Sequence, residues 1–394
     1  MEMKKMKICH VVSKLDTGGM ENGVINILNG LNTELFEPCV LCVKGEGSMA
    51  GRLAPHVKLL NLNAPEGKHP FRFVSLGRTF KQEQIAIVHT HGWGGCSMDG
   101  ILGAKWAKAR LIVNGEHGSF FLKPLQVTIQ NLLYNICDAN LSVADPLKQQ
   151  VMENFRLPKE SITTIRNGVD TEKFNGQYDK TKILTELGVS VSPNQLILAS
   201  IGSLKPIKNQ SLLINAIAEA RKSHPEIDLI ILFIGSGPDR EKLQALARDH
   251  NLASRVHFLG IRQDVAQLLS AVDIVVSTSA REGMSNAALE SLSSGVPVVT
   301  IASVGISDLI QHGVTGFISQ EATAECLGHQ LVKIAQTPHD QLKKIAKNCR
   351  NYILKNHSME KMVKDYEDFY MNLWAKKFGA HGVSNNRSHL IWPL

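Results

Sequence analysis

Hydrophobic positions along the chain follow two patterns that alternate. Short runs rich in β-branched residues, such as Lys7 to Ser13 and Ile85 to Thr90, predict buried strands. Longer stretches with apolar residues three and four apart, such as Glu21 to Leu31 and Met98 to Ala109, predict helices. Because strand and helix patterns alternate, the chain is predicted to be an α/β protein built on doubly wound parallel sheets.

A second series of strand patterns begins after a polar stretch from residue 166 to residue 192, which we interpret as a linker. At 394 residues the chain exceeds one ordinary hydrophobic core, and 43% apolar residues are enough to fill two. We therefore predict two doubly wound, Rossmann-like domains that face each other across a cleft, with ligands at the carboxyl ends of the strands. The strands of the second series are predicted over residues 195–200, 228–234, 255–258 and 298–300.

Composition narrows the class of protein further. No apolar run approaches the roughly 18 residues that would span a bilayer, and the start of the chain has too short an apolar run for a signal peptide. The seven cysteines are scattered, which suits reduced thiols, and we interpret Cys39 and Cys42 as small core residues rather than metal ligands. We therefore predict a cytoplasmic protein.

The formal net charge of +7 and the pI near 8.9 favour anionic partners. The basic excess is spread over both halves and only 6% of residues are aromatic, which argues against nucleic acid as a partner. Nucleotide sugars and acidic lipid head groups fit this excess better. Residues 68–81 carry four basic residues and three phenylalanines without an acid, so they could lie on an anionic membrane or form an ordinary amphipathic helix. The segment 120–125 is open to a similar pair of interpretations, membrane contact or a core-facing loop.

The stretch from Arg281 to Glu290 places two carboxylates, those of Glu282 and Glu290, where a loop runs into a helix. A β-branched strand precedes the stretch, and Ser285 is the natural N-cap of the helix. Free N–H groups at a helix N-terminus can bind a diphosphate. Glu282 would then stand before the helix and Glu290 inside it, next to different parts of one ligand. Solvated surface acids are the alternative interpretation.

Glycine-containing loops follow a strand in each half of the chain. Gly18 and Gly19 would let the backbone approach a phosphate, or they would simply form a tight turn. The pattern is not G-x-G-x-x-G and no acidic residue ends the second strand, so a dinucleotide-dependent dehydrogenase is disfavoured. In the second half, Gly202 and Ser203 lie in a loop that leads to Lys208, whose point charge could neutralise a diphosphate.

Histidines follow two further strands of the first half. His89 and His91 share one face of a strand, a pairing that could bind metal, but no third ligand is evident and no Asp-x-Asp occurs in the sequence. We therefore expect neither a metal nor another cofactor. A third histidine, His117, stands in the segment Asn114-Gly-Glu-His-Gly118.

Taken in order, these motifs resemble those of the retaining family-four glycosyltransferases of the GT-B fold, especially the transferases of exopolysaccharide assembly. The resemblance implies that Glu282 lies beside the donor sugar, that Glu290 holds the ribose hydroxyls, and that His117 reaches the donor sugar and the acceptor. Lys208 matches the family's Gly-Arg-Leu-x-x-x-Lys loop, although Ser203 replaces the usual arginine. The implied catalytic residues are His117, Glu282 and Lys208, and the implied nucleotide-sugar site comprises Gly18, Gly19, Gly202, Ser203, Lys208, Gly237, Gly260, Ile261, Ser285, Asn286 and Glu290.

The resemblance also implies roles for the parts of the chain. Residues 1–180 would bind the acceptor, 181–357 the nucleotide sugar, 358–378 would form a helix that returns to the first domain, and 379–394 would be a tail. The expected reaction moves a sugar from a nucleotide-diphosphate sugar, with a UDP-sugar favoured over a GDP-sugar, to a glycan or polyprenyl-linked acceptor in cell-surface or exopolysaccharide synthesis. Two rivals stay open: a nucleotide-sugar epimerase on the same fold and a catalytically silent sugar-nucleotide-binding protein.

Overall fold

The chain forms two compact units, each built around its own parallel sheet. One unit takes the chain up to Gly168 and resumes at Met359, and the other spans Val169–Ser358. This division lies earlier in the chain than the boundary expected at residue 180. The computed structural model describes residues 5–67, 69–92, 95–118, 124–158, 161–189, 192, 195–280, 284–303, 306 and 309–379.

The first unit, called unit 1 below, contains a seven-stranded sheet in which every neighbouring pair is parallel. Its strand order is β3-β2-β1-β4-β5-β6-β7. The strands are β1 (Met6–Val12), β2 (Phe36–Cys42), β3 (Lys58–Asn61), β4 (Ile87–His91), β5 (Leu111–Glu116), β6 (Ala139–Ser142) and β7 (Ile162–Thr164). The helices are α1 (Gly19–Gly30), α2 (Arg72–Gln82), α3 (Gly95–Ala107), α4 (Pro124–Ile136), α5 (Asp145–Phe155) and, from the end of the chain, α13 (Met359–Phe378).

Two hydrophobic cores lie on opposite faces of this sheet, because successive strand residues point to opposite sides. Ile8 of β1 belongs to one core together with apolar residues of α1 and α13. Its neighbour Cys9 belongs to the other core, which includes Leu76 of α2 and Ile101 of α3. Helices therefore cover both faces, as expected for a doubly wound sheet.

The second unit, unit 2, contains a six-stranded parallel sheet with the order β10-β9-β8-β11-β12-β13. Its strands are β8 (Gln195–Ile201), β9 (Asp228–Ile234), β10 (Val256–Gly260), β11 (Ile274–Ser277), β12 (Val298–Ile301) and β13 (Gly316–Ser319). Its helices are α6 (Lys180–Glu186), α7 (Gln210–Ser223), α8 (Arg240–Asp249), α9 (Val265–Ser270), α10 (Asn286–Ser293), α11 (Ala324–Ala335) and α12 (His339–Asn356).

The strand order reverses once in each sheet, between β1 and β4 in unit 1 and between β8 and β11 in unit 2. In open α/β sheets the crevice outside the carboxyl ends of the strands at such a reversal is the usual ligand site. The predicted α/β class with two Rossmann-like units is confirmed. Among the helices that the structure describes, none is both long and apolar enough to cross a membrane.

Candidate functional site

A polar cavity lies where the strand order of unit 2 reverses. It is lined by Ser200 at the end of β8, by Thr278 and Ser279 after β11, and by Lys208 and Ser285. Apolar residues of β11 and β12 form its floor. Two residues that the sequence singled out, Lys208 and Ser285, thus reach the same cavity although they come from different loops.

The loop that carries Lys208 is held by backbone contacts. Residues Pro206–Lys208 form a single 3₁₀ turn, and the Thr278 hydroxyl donates a 2.8 Å hydrogen bond to the carbonyl oxygen of Lys208. On the other side, the Gln210 amide donates a 3.0 Å hydrogen bond to the carbonyl oxygen of Ser203. Lys208 lines the cavity and Lys205 is exposed outside its lining, so Lys208 is the lysine of this loop that supplies positive charge there.

Glycines let the loops after β8 and β9 touch each other backbone to backbone. A Cβ on Gly237 would lie 2.2 Å from the carbonyl oxygen of Leu204, and a Cβ on Gly235 would lie 2.0 Å from that of Gly202. Either contact is far too short for a real side chain. Gly237, predicted to bind the nucleotide sugar, therefore has a packing role that is independent of any ligand.

Helix α10 begins as predicted. The Ser285 hydroxyl accepts a 3.3 Å hydrogen bond from the backbone N–H of Ala288, and Ser285, Ala287 and Ala288 line the cavity. The first turn of α10 therefore presents its positive end to the same space as Lys208. Asn286 opens the helix and the half-buried Glu290 lies one turn further on. Glu282 lies outside the described residues.

The remaining predicted binding residues occupy separate loops. Gly260 ends β10 in the left-handed region with φ 71°, and Ile261 after it is 62% exposed. In unit 1, Gly18 is the N-cap of α1 and Gly19 its first residue. A Cβ on Gly18 would lie 2.1 Å from Oε2 of Glu21, so a carboxylate already folds over the start of α1. This contact favours the tight-turn interpretation of Gly18 and Gly19 over a phosphate site.

Unit 1 gathers histidines at its own strand-order reversal. His89 and His91 share one face of β4, as predicted, with ring centroids 4.2 Å apart. His10 of β1 lies opposite His89 in the parallel register, and its ring centroid is 4.7 Å from that of His89. His117 follows β5, and its Nε2 lies 2.9 Å from Nδ1 of His91. His10 could not be singled out from the sequence, because the pairing of β1 with β4 is a tertiary feature.

The cluster extends to the end of the chain through Tyr370 of α13. The Tyr370 hydroxyl lies 2.7 Å from Nδ1 of His89 and 3.2 Å from Nε2 of His10. Nδ1 of His10 lies in turn 2.9 Å from Nε2 of His91. Burial lowers the pKa of His10 to about 3 and that of His117 to about 4. Burial likewise lowers the pKa values of His89 and His91 well below the ordinary value, so the rings are neutral at pH 7.

Three of these histidines could hold a metal ion. His10, His89 and His91 are buried and offer ring nitrogens within 4.8 Å of one another. A tetrahedral zinc site needs nitrogens about 3.4 Å apart, since each lies about 2.0–2.1 Å from the metal. In the structure these nitrogens instead hydrogen-bond to one another and to Tyr370, and Nε2 of His89 is the exception. His10 is therefore the third possible ligand that was not evident from the sequence. Its ring nitrogens take part in hydrogen bonds in the structure.

Two family models match the sequence. A sequence model described as Glycosyltransferase Family 4 matches residues 17–173, and one described as Glycosyl transferases group 1 matches residues 195–337. The chain belongs to glycosyltransferase family four. It is 27% identical over 390 residues to the UDP-Gal:alpha-D-GlcNAc-diphosphoundecaprenol alpha-1,3-galactosyltransferase of Escherichia coli, an alignment that covers 95% of this chain and 98% of the relative.

Solved structures show that this glycosyltransferase has the GT-B fold. A glycosyltransferase from Rickettsia africae superposes with a TM-score of 0.81 at 20% identity, covering 94% of this chain and 98% of the other. Anabaena HepE in complex with UDP superposes with a TM-score of 0.79 at 20% identity, covering 94% of this chain and 100% of the other. The family models and the Escherichia coli relative favour a transferase over the epimerase and the silent binding protein.

The glycosyltransferase contains a second buried polar network, on the opposite face of β5 from the histidines. The amides of Asn114 and Gln130 and the hydroxyl of Tyr134 all donate to Oε1 of Glu116, at 3.0, 3.2 and 3.0 Å. Burial raises the pKa of Glu116 to about 7. Sequence reasoning missed this carboxyl, because two of its three partners come from α4.

The basic stretch of residues 68–81 contributes most of helix α2, which buries one of its basic residues. Arg72 is buried and forms an ion pair with Asp99 at 3.5 Å, so its charge is not available to a membrane. Arg78 and Lys81 are exposed, Phe71 is 73% exposed and Phe80 is buried in the core. Lys68 and most of the segment 120–125 lie outside the described residues. The exposed part of this surface thus keeps one phenylalanine and two cations.

Proposed function

We propose that this glycosyltransferase transfers a sugar from a UDP-sugar to a polyprenyl-linked or glycan acceptor, with retention of the anomeric configuration. The observation that carries the proposal is the unit 2 cavity, where Lys208 and the N-terminus of α10 meet. A departing diphosphate develops negative charge, and fixed cations and helix N–H groups stabilise such charge without a metal. UDP and a lipid-linked acceptor are supported by the Escherichia coli relative, which aligns over nearly its whole length and is a galactosyltransferase with UDP-Gal and a diphosphoundecaprenol-linked sugar as substrates.

We assign the residues of this glycosyltransferase as follows. Lys208 and the first turn of α10 bind the diphosphate, and Glu290 accepts hydrogen bonds from the ribose hydroxyls. His117 contacts the donor sugar or the acceptor hydroxyl. The bond between the sugar carbon and the diphosphate oxygen breaks while a bond to the acceptor oxygen forms, and the hydroxyl proton leaves on the diphosphate. Retention and the role of Glu282 rest on the family resemblance.

A donor and acceptor panel tests the proposed function. The full chain is incubated with UDP- and GDP-sugars, with and without polyprenyl-diphosphate-linked sugars, and released nucleoside diphosphate is measured. The proposal expects UDP release that depends on the acceptor, and proton NMR of the product should show the donor's anomeric configuration. Donor turnover without an acceptor and with a changed sugar would support an epimerase. UDP binding without turnover on any acceptor would support a binding protein.

We also propose that unit 1 associates with the cytoplasmic face of an anionic membrane. The exposed Phe71 lies at the start of α2, and Arg78 and Lys81 are exposed on the same helix. An aromatic side chain next to cations suits the boundary between lipid head groups and acyl chains. A polyprenyl-linked acceptor would be presented at that surface.

A further inference from the structure

A continuous chain of polar contacts runs from β4 through the terminal helix to His117. In order, it joins His89, Tyr370, His10, His91 and His117 at distances of 2.7, 3.2, 2.9 and 2.9 Å. All four links fall in the hydrogen-bond range, and the first four side chains are buried. The chain therefore connects the proposed substrate-contacting histidine to a residue near the end of the sequence.

Neutral imidazoles restrict how protons can be placed along this chain. Each ring has one N–H donor and one lone pair, and the tyrosine hydroxyl has one proton to donate. Each contact needs one donor and one acceptor, so a ring that donates at one link accepts at the other. The Tyr370 oxygen could accept from both of its neighbours, but its own buried proton would then have no acceptor in the series of contacts. If every proton is used, the chain can run only in two ways: all donors point towards His117, or all point towards His89.

The far end of the chain distinguishes the two directions. Nε2 of His89 is buried and has no hydrogen-bond partner among the residues that the structure describes. If the donors point towards His117, this nitrogen is an unused lone pair. If they point the other way, it is an N–H without an acceptor, and orphaned buried N–H groups are rare in proteins. Donors that point towards His117 are therefore favoured, because an unused lone pair on Nε2 of His89 costs less than an N–H without an acceptor.

We propose that this buried chain holds His117 in the tautomer with its proton on Nδ1. Nε2 of His117 accepts a hydrogen bond from His91, and Nδ1–H is left to donate to an oxygen of the bound sugar or acceptor. His117 then positions a substrate oxygen and does not remove a proton from the acceptor hydroxyl. Tyr370, His10 and His91 act as positioning residues. The assignment of a substrate to His117 rests on the proposed function, but the tautomer does not.

Nitrogen NMR tests the tautomer directly on the full chain. The protein is labelled with ¹⁵N-histidine, and long-range proton–nitrogen spectra at pH 7 show which ring nitrogen carries the proton. The His117 signals are identified by their loss in His117→Gln. We expect a protonated Nδ1 and an unprotonated Nε2 in His117, and an unprotonated Nε2 in His89. A proton on Nε2 of His117, or on both of its nitrogens, would overturn the proposal.

Two variants on α13 test whether the buried chain of hydrogen bonds sets the tautomer of His117. Tyr370→Phe removes the link between His89 and His10, so the His117 signals should shift towards the average of the two tautomers. Tyr366→Phe is the matched control, because Tyr366 is also buried on α13 and its ring lies 6.1 Å from that of His89, outside the chain. It should leave the His117 signals unchanged. Unchanged His117 signals in folded Tyr370→Phe would contradict the proposal.

Elemental analysis of the purified protein gives an independent outcome. A stoichiometric transition metal bound to His10, His89 and His91 would occupy the lone pairs that the chain of hydrogen bonds needs. Such a metal would overturn the proposal. A metal-free protein with the expected NMR signals supports it. If the donor and acceptor panel fails while the tautomer is found, the proposed function is wrong and the chain of hydrogen bonds still stands.

Discussion

The hydroxyl of Tyr370 lies 2.7 Å from Nδ1 of His89, although 281 residues separate the two in the sequence. Both side chains are fully buried. The contact makes α13 part of the framework behind His117 in addition to its role in the core of unit 1. Substitutions near the end of the chain are therefore expected to affect the chemistry at the carboxyl ends of β4 and β5.

Replacement of Glu290 by alanine should weaken UDP binding. A carboxylate can accept hydrogen bonds from both ribose hydroxyls, and each such bond contributes about 1.5–3 kcal/mol, so we expect the Kd to rise at least about tenfold. Isothermal titration calorimetry with UDP measures the change. Glu241→Ala, in an exposed position on α8, is the control and should bind as the unaltered protein does. Unchanged affinity in Glu290→Ala would refute the ribose assignment.

Lys208→Ala and His117→Ala should separate binding from turnover. Lys208 lines the unit 2 cavity and His117 belongs to unit 1, so both variants should lose turnover while Lys208→Ala alone loses much UDP affinity. Loss of one hydrogen-bonded charge corresponds to about 1.5–3 kcal/mol, or about 10- to 100-fold in Kd. Lys205→Ala is the matched control, because Lys205 is an exposed lysine of the same loop. Normal turnover of His117→Ala on the true substrates would show that His117 has no role in the reaction.

Membrane association should depend on salt and on Phe71. Each basic residue near an anionic surface contributes about 1 kcal/mol, and salt screens this attraction over a Debye length of about 10 Å at 0.1 M. Sedimentation with phosphatidylserine-containing vesicles should therefore recover less protein at high salt, and less of Phe71→Ser than of the unaltered chain. Leu354→Ser, an exposed apolar position of unit 2, serves as the control. Equal recovery with neutral and anionic vesicles would indicate that α2 is an ordinary amphipathic helix that does not bind anionic membranes.

Transfer should not need a divalent metal. Lys208 and the first turn of α10 supply positive charge at the cavity, and the sequence contains no Asp-x-Asp. Initial rates with the correct donor should survive excess chelator within a factor of about two, or about 0.4 kcal/mol in the barrier. The family resemblance implies an arginine where Ser203 stands, so the proposed phosphate site would have one cation fewer than is usual in the family. A rate that collapses in chelator and returns with magnesium would show that the substrate recruits a metal to replace it.

Glu116→Gln should change how the stability of unit 1 depends on pH. Burial raises the pKa of Glu116 to about 7 from an ordinary value of 4.5. Between these values the folded state keeps a proton that the unfolded state releases, so the carboxyl lowers stability as pH rises. Glutamine does not titrate. From pH 5 to pH 8 the free energy of unfolding of the variant should therefore gain about 2–3 kcal/mol relative to the unaltered chain.

Tryptophan fluorescence in urea can measure this difference, because all four tryptophans fall within the sequence ranges of unit 1. The control is Glu153→Gln, the same substitution at an exposed position on α5. A relative stability of Glu116→Gln that does not change between pH 5 and pH 8 would mean that Glu116 titrates as an ordinary carboxyl.

Local patterns in the sequence were enough to predict much of the fold. The alternation of strands and helices predicted two parallel sheets, and the capping pattern at Ser285 predicted the start of α10. These features depend on neighbours within a few residues. The common face of His89 and His91 follows for the same reason, since it requires only the two-residue period of a strand.

Other features depend on partners that lie far away in the sequence. His10 joins the cluster through the register of β1 and β4, Tyr370 through the packing of α13, and Glu116 through side chains of α4. Arg72 forms a buried ion pair with Asp99 of α3, a partner that lies 27 residues away in the sequence. No periodicity in the sequence reports which distant residue a side chain will meet, so these contacts could not be predicted.

The return of α13 to unit 1 has a consequence for synthesis on the ribosome. Val169–Ser358 is an unbroken stretch, so unit 2 can complete its contacts as soon as that stretch has emerged. The part of unit 1 that precedes Val169 lacks Tyr366, Tyr370 and Trp374, which fill its core, until α13 has been translated after Ser358. We therefore expect unit 1 to complete its folding after unit 2, and the histidine cluster to form only once α13 has emerged from the ribosome.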